Sequence, residues 1–104
     1  MAINNESGFY LGYLSAGATA AKLLDAVPAN ALTGRTPKRV VMTVETAAIR
    51  YRYDGVAANA QPGGGHLGST NTTYKVEGVE NIANLSIIAG TATAADVTFT
   101  LEGG

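Results

Sequence analysis

Two segments of the chain alternate apolar and polar residues with a period of two, the pattern of half-buried strands. In Arg39–Gly55 (RVVMTVETAAIRYRYDG), Val40, Met42 and Val44 alternate with Val41, Thr43 and Glu45, and then Ile49, Tyr51 and Tyr53 alternate with Arg50, Arg52 and Asp54. The apolar phase therefore switches from even to odd positions, which one flat strand cannot do without turning an apolar set into solvent. The pattern predicts a hairpin, with Val44 opposite Ile49, Met42 opposite Tyr51 and Val40 opposite Tyr53 on one face. Thr43 then meets Arg50, and Arg39 meets Asp54, on the other. A two-residue primed turn at Thr46 and Ala47 requires positive φ at residues that resist it, so a four-residue connection around a type I turn is expected. The second segment, Asp96–Glu102, alternates most cleanly, with Val97, Phe99 and Leu101 inward and Thr98, Thr100 and Glu102 outward.

The same pattern orders the remaining chain. Met1–Gly8 is polar and reads as a flexible arm. Phe9–Leu14 (FYLGYL) reads as a strand apolar on both faces, with Phe9, Leu11 and Tyr13 on one and Tyr10 and Leu14 on the other. Tyr10 and Leu14 find no obvious partner within one sandwich, so they are expected to mark a self-association surface. Ala18–Val27 fits a strand or a short helix equally, and Pro28–Lys38 is a loop in which Pro37 sets up entry to the central segment. Residues 56–73 form a long Gly-, Asn- and Thr-rich loop, pinned to the core at Leu67. Tyr74–Val79 is a strand interrupted by Gly78, Glu80–Asn84 a turn, Leu85–Ala89 a strand and Gly90–Ala95 a turn. Six to eight short strands separated by turns predict an all-β fold, an antiparallel β-sandwich or a jelly-roll-like variant, with an arm over residues 1–8 and one domain over 9–104.

Composition narrows the possible roles. The chain has 104 residues, 46% hydrophobic and only 14% charged, with 13 Gly and no Cys, which removes disulfide frameworks and thiolate metal sites together. A formal charge of −1 with 7 basic residues gives no electrostatic footprint for nucleic acid. No apolar run approaches the ~20 residues that span a bilayer, so no membrane role is expected. The start of the chain lacks a basic, apolar secretion signal, and synthesis in a cytosol is expected.

Candidate chemistry is sparse. His66 is the only histidine and lies in a Gly-rich run, which leaves no His-based metal cage and no credible Ser-His-acid triad. Gly63–Gly65 is followed by His66, Leu67 and Gly68 rather than by the Lys and Ser or Thr of a phosphate loop. Asp54, Glu77, Glu80 and Asp96 show no repeated spacing. No catalytic, metal or cofactor residues are assigned, and the chain is read as a non-enzyme. Arg50 and Arg52, on the outer face of the central segment, are interface candidates, the alternative being ion pairing with Glu45 and Asp54.

The run TVETAAIRYRYDG, the Gly-rich stretch with Gly65-His66-Leu67, VEGVENIANLSII and the closing VTFTLE together resemble a group of small β-sandwich structural proteins of tailed bacteriophages. The resemblance covers Arg39–Glu102, and the chain departs from the pattern in lacking a Pro-Thr pair after Asp54-Gly55 and in carrying Pro62 with three consecutive glycines. It implies a virion component made in the host cytoplasm, and it tips Ala18–Val27 towards strand. Two roles follow as expectations. One is a capsid decoration, or cement, protein that sits on the capsid surface, bridges subunits of the major capsid protein and assembles with itself, as a trimer on a local symmetry axis. The other is a neck, tail or head-fibre component with an adaptor or receptor-binding role. For attachment, Asn4, Asn5 and Glu6 offer hydrogen-bonding side chains on the arm, suited to ordering against a neighbour by strand addition.

Overall fold

The computed structural model describes residues 8–103. Eight strands form two four-stranded antiparallel sheets: β1 (Gly8–Ala16), β2 (Ala21–Lys22), β3 (Arg39–Glu45), β4 (Ile49–Arg52), β5 (His66–Gly68), β6 (Thr72–Glu77), β7 (Ser86–Ala89) and β8 (Ala95–Glu102). One sheet has the order β1-β8-β3-β6 and the other β2-β7-β4-β5. The fold is an all-β sandwich, as the alternation predicts, and the chain changes sheet at nearly every connection; only β4 and β5 are consecutive strands that pair with each other.

The two cleanest alternating segments find each other. On the inner face β3 and β8 set Val40 against Leu101, Met42 against Phe99 and Val44 against Val97, and all six side chains are fully buried. The neighbouring strands extend these rows: Tyr10 joins Leu101, Gly12 joins Phe99 and Leu14 joins Val97 from β1, while Val76, Tyr74 and Thr72 join from β6. The second sheet contributes Ile49 and Ile87, and Leu23, Ile82 and Leu85 fill the ends. Gly12 has a packing role. A Cβ there would sit 2.4 Å from the Phe99 ring, so the ring occupies the space that a side chain would need.

The expected hairpin between Val40–Val44 and Ile49–Tyr53 does not form. β3 and β4 lie in different sheets, and the chain crosses between them through Thr46–Ala48. The phase switch is the result of that crossing, because a strand that passes to the facing sheet must present its other set of side chains to keep the interior apolar. The connection is tighter than a four-residue turn. Thr46 has φ of 74° and the Ala47 N–H donates to the Glu45 carbonyl at 2.8 Å, a γ-turn arrangement. Positive φ at a β-branched residue is costly. The Thr46 hydroxyl partly offsets it by donating to Asp96 Oδ2 at 2.7 Å.

Other expectations are corrected in detail. Ala18–Val27 is neither a strand nor a helix throughout: two residues pair with β7 as β2, and Leu23–Ala26 then form a 3-10 turn that buries Leu23. The loop after Pro28 contains a 3-10 turn at Ala29–Leu32. Gly78, at φ 103°, does not interrupt a strand but ends β6 and opens a one-turn helix, α1 (Val79–Ala83), where a turn was expected. Leu67 does not pin the long loop, being 53% exposed; the buried anchor is Ala58, whose N–H donates to Ser86 Oγ at 3.0 Å.

Truncating Phe99 to Ala is expected to cost about 3 to 5 kcal/mol, because it empties a site that Gly12 cannot refill. Equilibrium denaturation of the variant reads this directly. A loss below about 1 kcal/mol contradicts the packing described.

Candidate interaction surface

β1 is an edge strand, paired on one side with β8. Its even positions Tyr10, Gly12, Leu14 and Ala16 face the interior, so its odd positions Leu11 and Tyr13 face out. Leu11 is 70% exposed and Tyr13 58%. This inverts the expectation for this strand: Tyr10 and Leu14 pack against the core, Tyr10 with its ring 6.2 Å from that of Phe99, and the uncovered pair is Leu11 with Tyr13. Phe9 also packs against the core, since the register shifts between Gly8 and Tyr10 and turns it away from the Leu11 face; Arg35 lies over its ring at 5.1 Å.

Tyr13 is fixed at its tip. Its hydroxyl donates to Asp96 Oδ1 at 2.5 Å, and Asp96 also accepts from Thr46, so one carboxylate ties β1, β8 and the crossing after β3 together. These bonds hold the Asp96 carboxyl below the usual carboxylate range, and the bond to Asp96 raises Tyr13 above the usual phenol value. Next to it, Thr98 donates to Glu45 Oε2 at 2.9 Å and Thr43 shares a hydrogen bond with Thr73 at 3.1 Å, so the outer face beyond Leu11 and Tyr13 is polar.

Arg50 and Arg52 lie on the outer face of β4, as read from the sequence, but neither projects freely. Arg50 is opposite Ile88 on one side and Leu67 on the other, and its Nη1 donates to the Gly65 carbonyl at 3.2 Å, which fastens the Gly-rich loop to the sheet. Arg52 grips Asp54 with two hydrogen bonds, Nε to Oδ1 at 2.7 Å and Nη2 to Oδ2. This is the ion-pairing alternative for Arg52. The pairing expected between Arg39 and Asp54 is absent, for Arg39 lies between Glu102 and Glu77. Asn4, Asn5 and Glu6 lie outside the described residues.

Sequence reasoning missed an aromatic group at the mouth between β4, β5 and β6. The Tyr51 ring lies 5.5 Å from His66 and 5.6 Å from Tyr74, and Tyr53 stacks on His66 at 6.0 Å. Tyr51 was legible as an inward residue, but its meeting with Tyr74 depends on the two sheets facing each other. Burial raises Tyr51 above the usual phenol value, while the Ser69 N–H, donating to the Tyr74 hydroxyl at 2.7 Å, lowers Tyr74. Tyr53 and His66 line a cleft of about 360 Å³ with Arg52, Asp54, Gly63 and Gly65. Its one arginine is already committed to Asp54, so the cleft offers no unspent cation to an anionic ligand. Among the described residues, no three His, Asp or Glu side chains converge as metal ligands, and no helix is long and apolar enough to cross a membrane.

Comparison with protein-family models, with curated proteins and with solved structures finds no match to this chain.

The Arg52 fork holds the Asp54 carboxyl down at about 2, from an ordinary value of 3.8. The folded value is depressed, so the stability this pair contributes is present above pH 3.8 and is lost as pH falls towards 2. Carboxyl NMR titration is expected to place the Asp54 midpoint near 2 in the native chain and to move it up towards 3.8 in Arg52→Ala, the Val56 N–H still holding it below that value. An unchanged midpoint in the variant would show that Arg52 is not the cause.

Proposed function

We propose that this chain is a structural component of a bacteriophage virion, a capsid decoration protein that docks on the outer shell, assembles with itself and ties neighbouring subunits of the major capsid protein together. The observation that carries the architectural part of this reading is the outer face of β1, where Leu11 and Tyr13 are exposed side by side on a long edge strand. Isolated exposed apolar residues are normal on a protein surface, but neighbours on one strand face form a surface that gains from being covered. The virion part rests on the sequence resemblance over Arg39–Glu102. The architecture supports it: a two-sheet sandwich in which Arg52 is held by Asp54 and Arg50 by the Gly65 carbonyl is suited to be a building part rather than a reaction vessel.

Attachment is assigned to the sandwich together with the polar residues before it, Asn4, Asn5 and Glu6, which are suited to pairing with a strand of the shell. The expected consequence is a high copy number. Quantifying this chain against the major shell protein in purified particles should give hundreds of copies, and a handful would replace decoration with a neck, tail or head-fibre role. Deleting residues 1–7 should leave the melting temperature of the sandwich nearly unchanged while occupancy on particles lacking the protein falls sharply. Full occupancy of the deleted form would place attachment wholly in the sandwich.

A further inference from the structure

The four sheet edges are not treated alike. β2 has two residues and includes Lys22, β5 has three, and β6 carries Lys75 and Glu77 along its length. Short strands and edge charges are the devices by which sandwiches prevent edge-to-edge pairing. β1 has neither. It runs nine residues, GFYLGYLSA, without a charge or a proline, and among the described residues no backbone hydrogen bond from outside the sheet reaches Phe9–Ala16. Its irregularity lies at its start, between Gly8 and Tyr10, and leaves the strand regular from Tyr10 onward.

That regular stretch is complementary to its own reverse, each mirrored pair joining an aromatic and an aliphatic residue. About Gly12, Leu11 mirrors Tyr13 and Tyr10 mirrors Leu14. When such a strand pairs antiparallel with a copy of itself across a two-fold axis at Gly12, Leu11 of each copy lies opposite Tyr13 of the other on the outer face. Tyr10 lies opposite Leu14 on the inner face. Aromatic and aliphatic neighbours opposite one another are favourable cross-strand pairs, and the absence of charge means that no like-charge pair opposes the contact. Any other centre in the stretch breaks this matching. A centre at Leu11, for example, sets Leu14 opposite Gly8.

We propose that β1 is an isologous self-association edge: two copies pair antiparallel through β1 about Gly12, joining their four-stranded sheets into one continuous eight-stranded sheet. This rests on the reading that the chain assembles with itself, and it names the partner as a second copy, the symmetry as two-fold and the register as Leu11 opposite Tyr13. It also replaces the three-fold expectation, whose motive was an outward Tyr10 and Leu14. In a shell, such a contact links a copy seated on one capsid subunit to a copy seated on the next.

Two measurements test it. Sedimentation at tens of micromolar should give a dimer, and Leu11→Lys should weaken it at least about a hundredfold, because the axis removes Leu11 twice. Leu11 points to solvent within the single chain, so at concentrations low enough for both proteins to be monomeric the variant should melt at the native temperature. The register is read by disulfide capture, since the chain has no cysteine of its own. An oxidised mixture of Leu11→Cys and Tyr13→Cys should yield the mixed disulfide, whereas either variant alone should cross-link far more slowly, its copies being diagonal at about 7 to 8 Å. A stable trimer without the mixed disulfide would overturn the two-fold edge while leaving self-assembly standing. A strict monomer with no mixed disulfide would overturn both the edge and self-assembly of the free chain, and copy number in particles would still decide the virion reading separately.

Discussion

Everything in the sandwich is hung on the pairing of β3 with β8. These two strands form the middle of one sheet, and their inner faces supply Val40, Met42, Val44, Val97, Phe99 and Leu101, all of them without solvent contact. Six fully buried side chains in three cross-strand rows concentrate much of the hydrophobic driving force of a small domain in one place. The flanking strands are fitted to those rows. β1 gives up a side chain at Gly12 so that the Phe99 ring can lie across it, and β6 places Tyr74 beside Met42. The arrangement has a stiff centre and edges that serve other ends.

The period-two pattern made the core legible before the topology was. Val40, Met42, Val44, Ile49, Val97, Phe99 and Leu101 are all inward and buried, because which face a strand residue occupies depends on the residue's own parity and neighbours, whereas β7 is buried on both faces and parity does not sort its residues. The partner of each strand was not legible. Val44 could be matched with Ile49 by local register as convincingly as with Val97, and nothing in a phase switch distinguishes a chain that folds back within a sheet from one that crosses to the facing sheet. The choice is made by Phe99 and Met42 filling a common row across more than fifty residues of sequence, which is a tertiary effect.

The same limit explains the reading of the first strand. FYLGYL is apolar on both faces, and parity alone does not say which face is inward. Gly12 held the answer, since a glycine between two large residues on one face is a place where something else must fit, and that something is the ring of Phe99. Arg50 and Arg52 were correctly placed on an outer face, but their partners came from a loop carbonyl and from a carboxylate two residues away. Polar partners of this kind are set by loop conformation, for which a Gly-rich sequence carries little signal.

The order in which strands are laid down has its own consequence. β8, the last of the eight strands, stands between β1, the first, and β3. While the chain is being synthesised, β1 has nothing within its sheet to pair with until β8 has emerged, and its apolar residues must wait through the whole of the intervening sequence. The pairing of β1 with β8 therefore forms late and slowly, as in topologies dominated by distant pairings. In that interval FYLGYL is exposed and uncharged, the kind of segment that nascent-chain chaperones engage. Yield in the cell would then be governed by how fast β1 and β8 meet rather than by how stable the finished sandwich is.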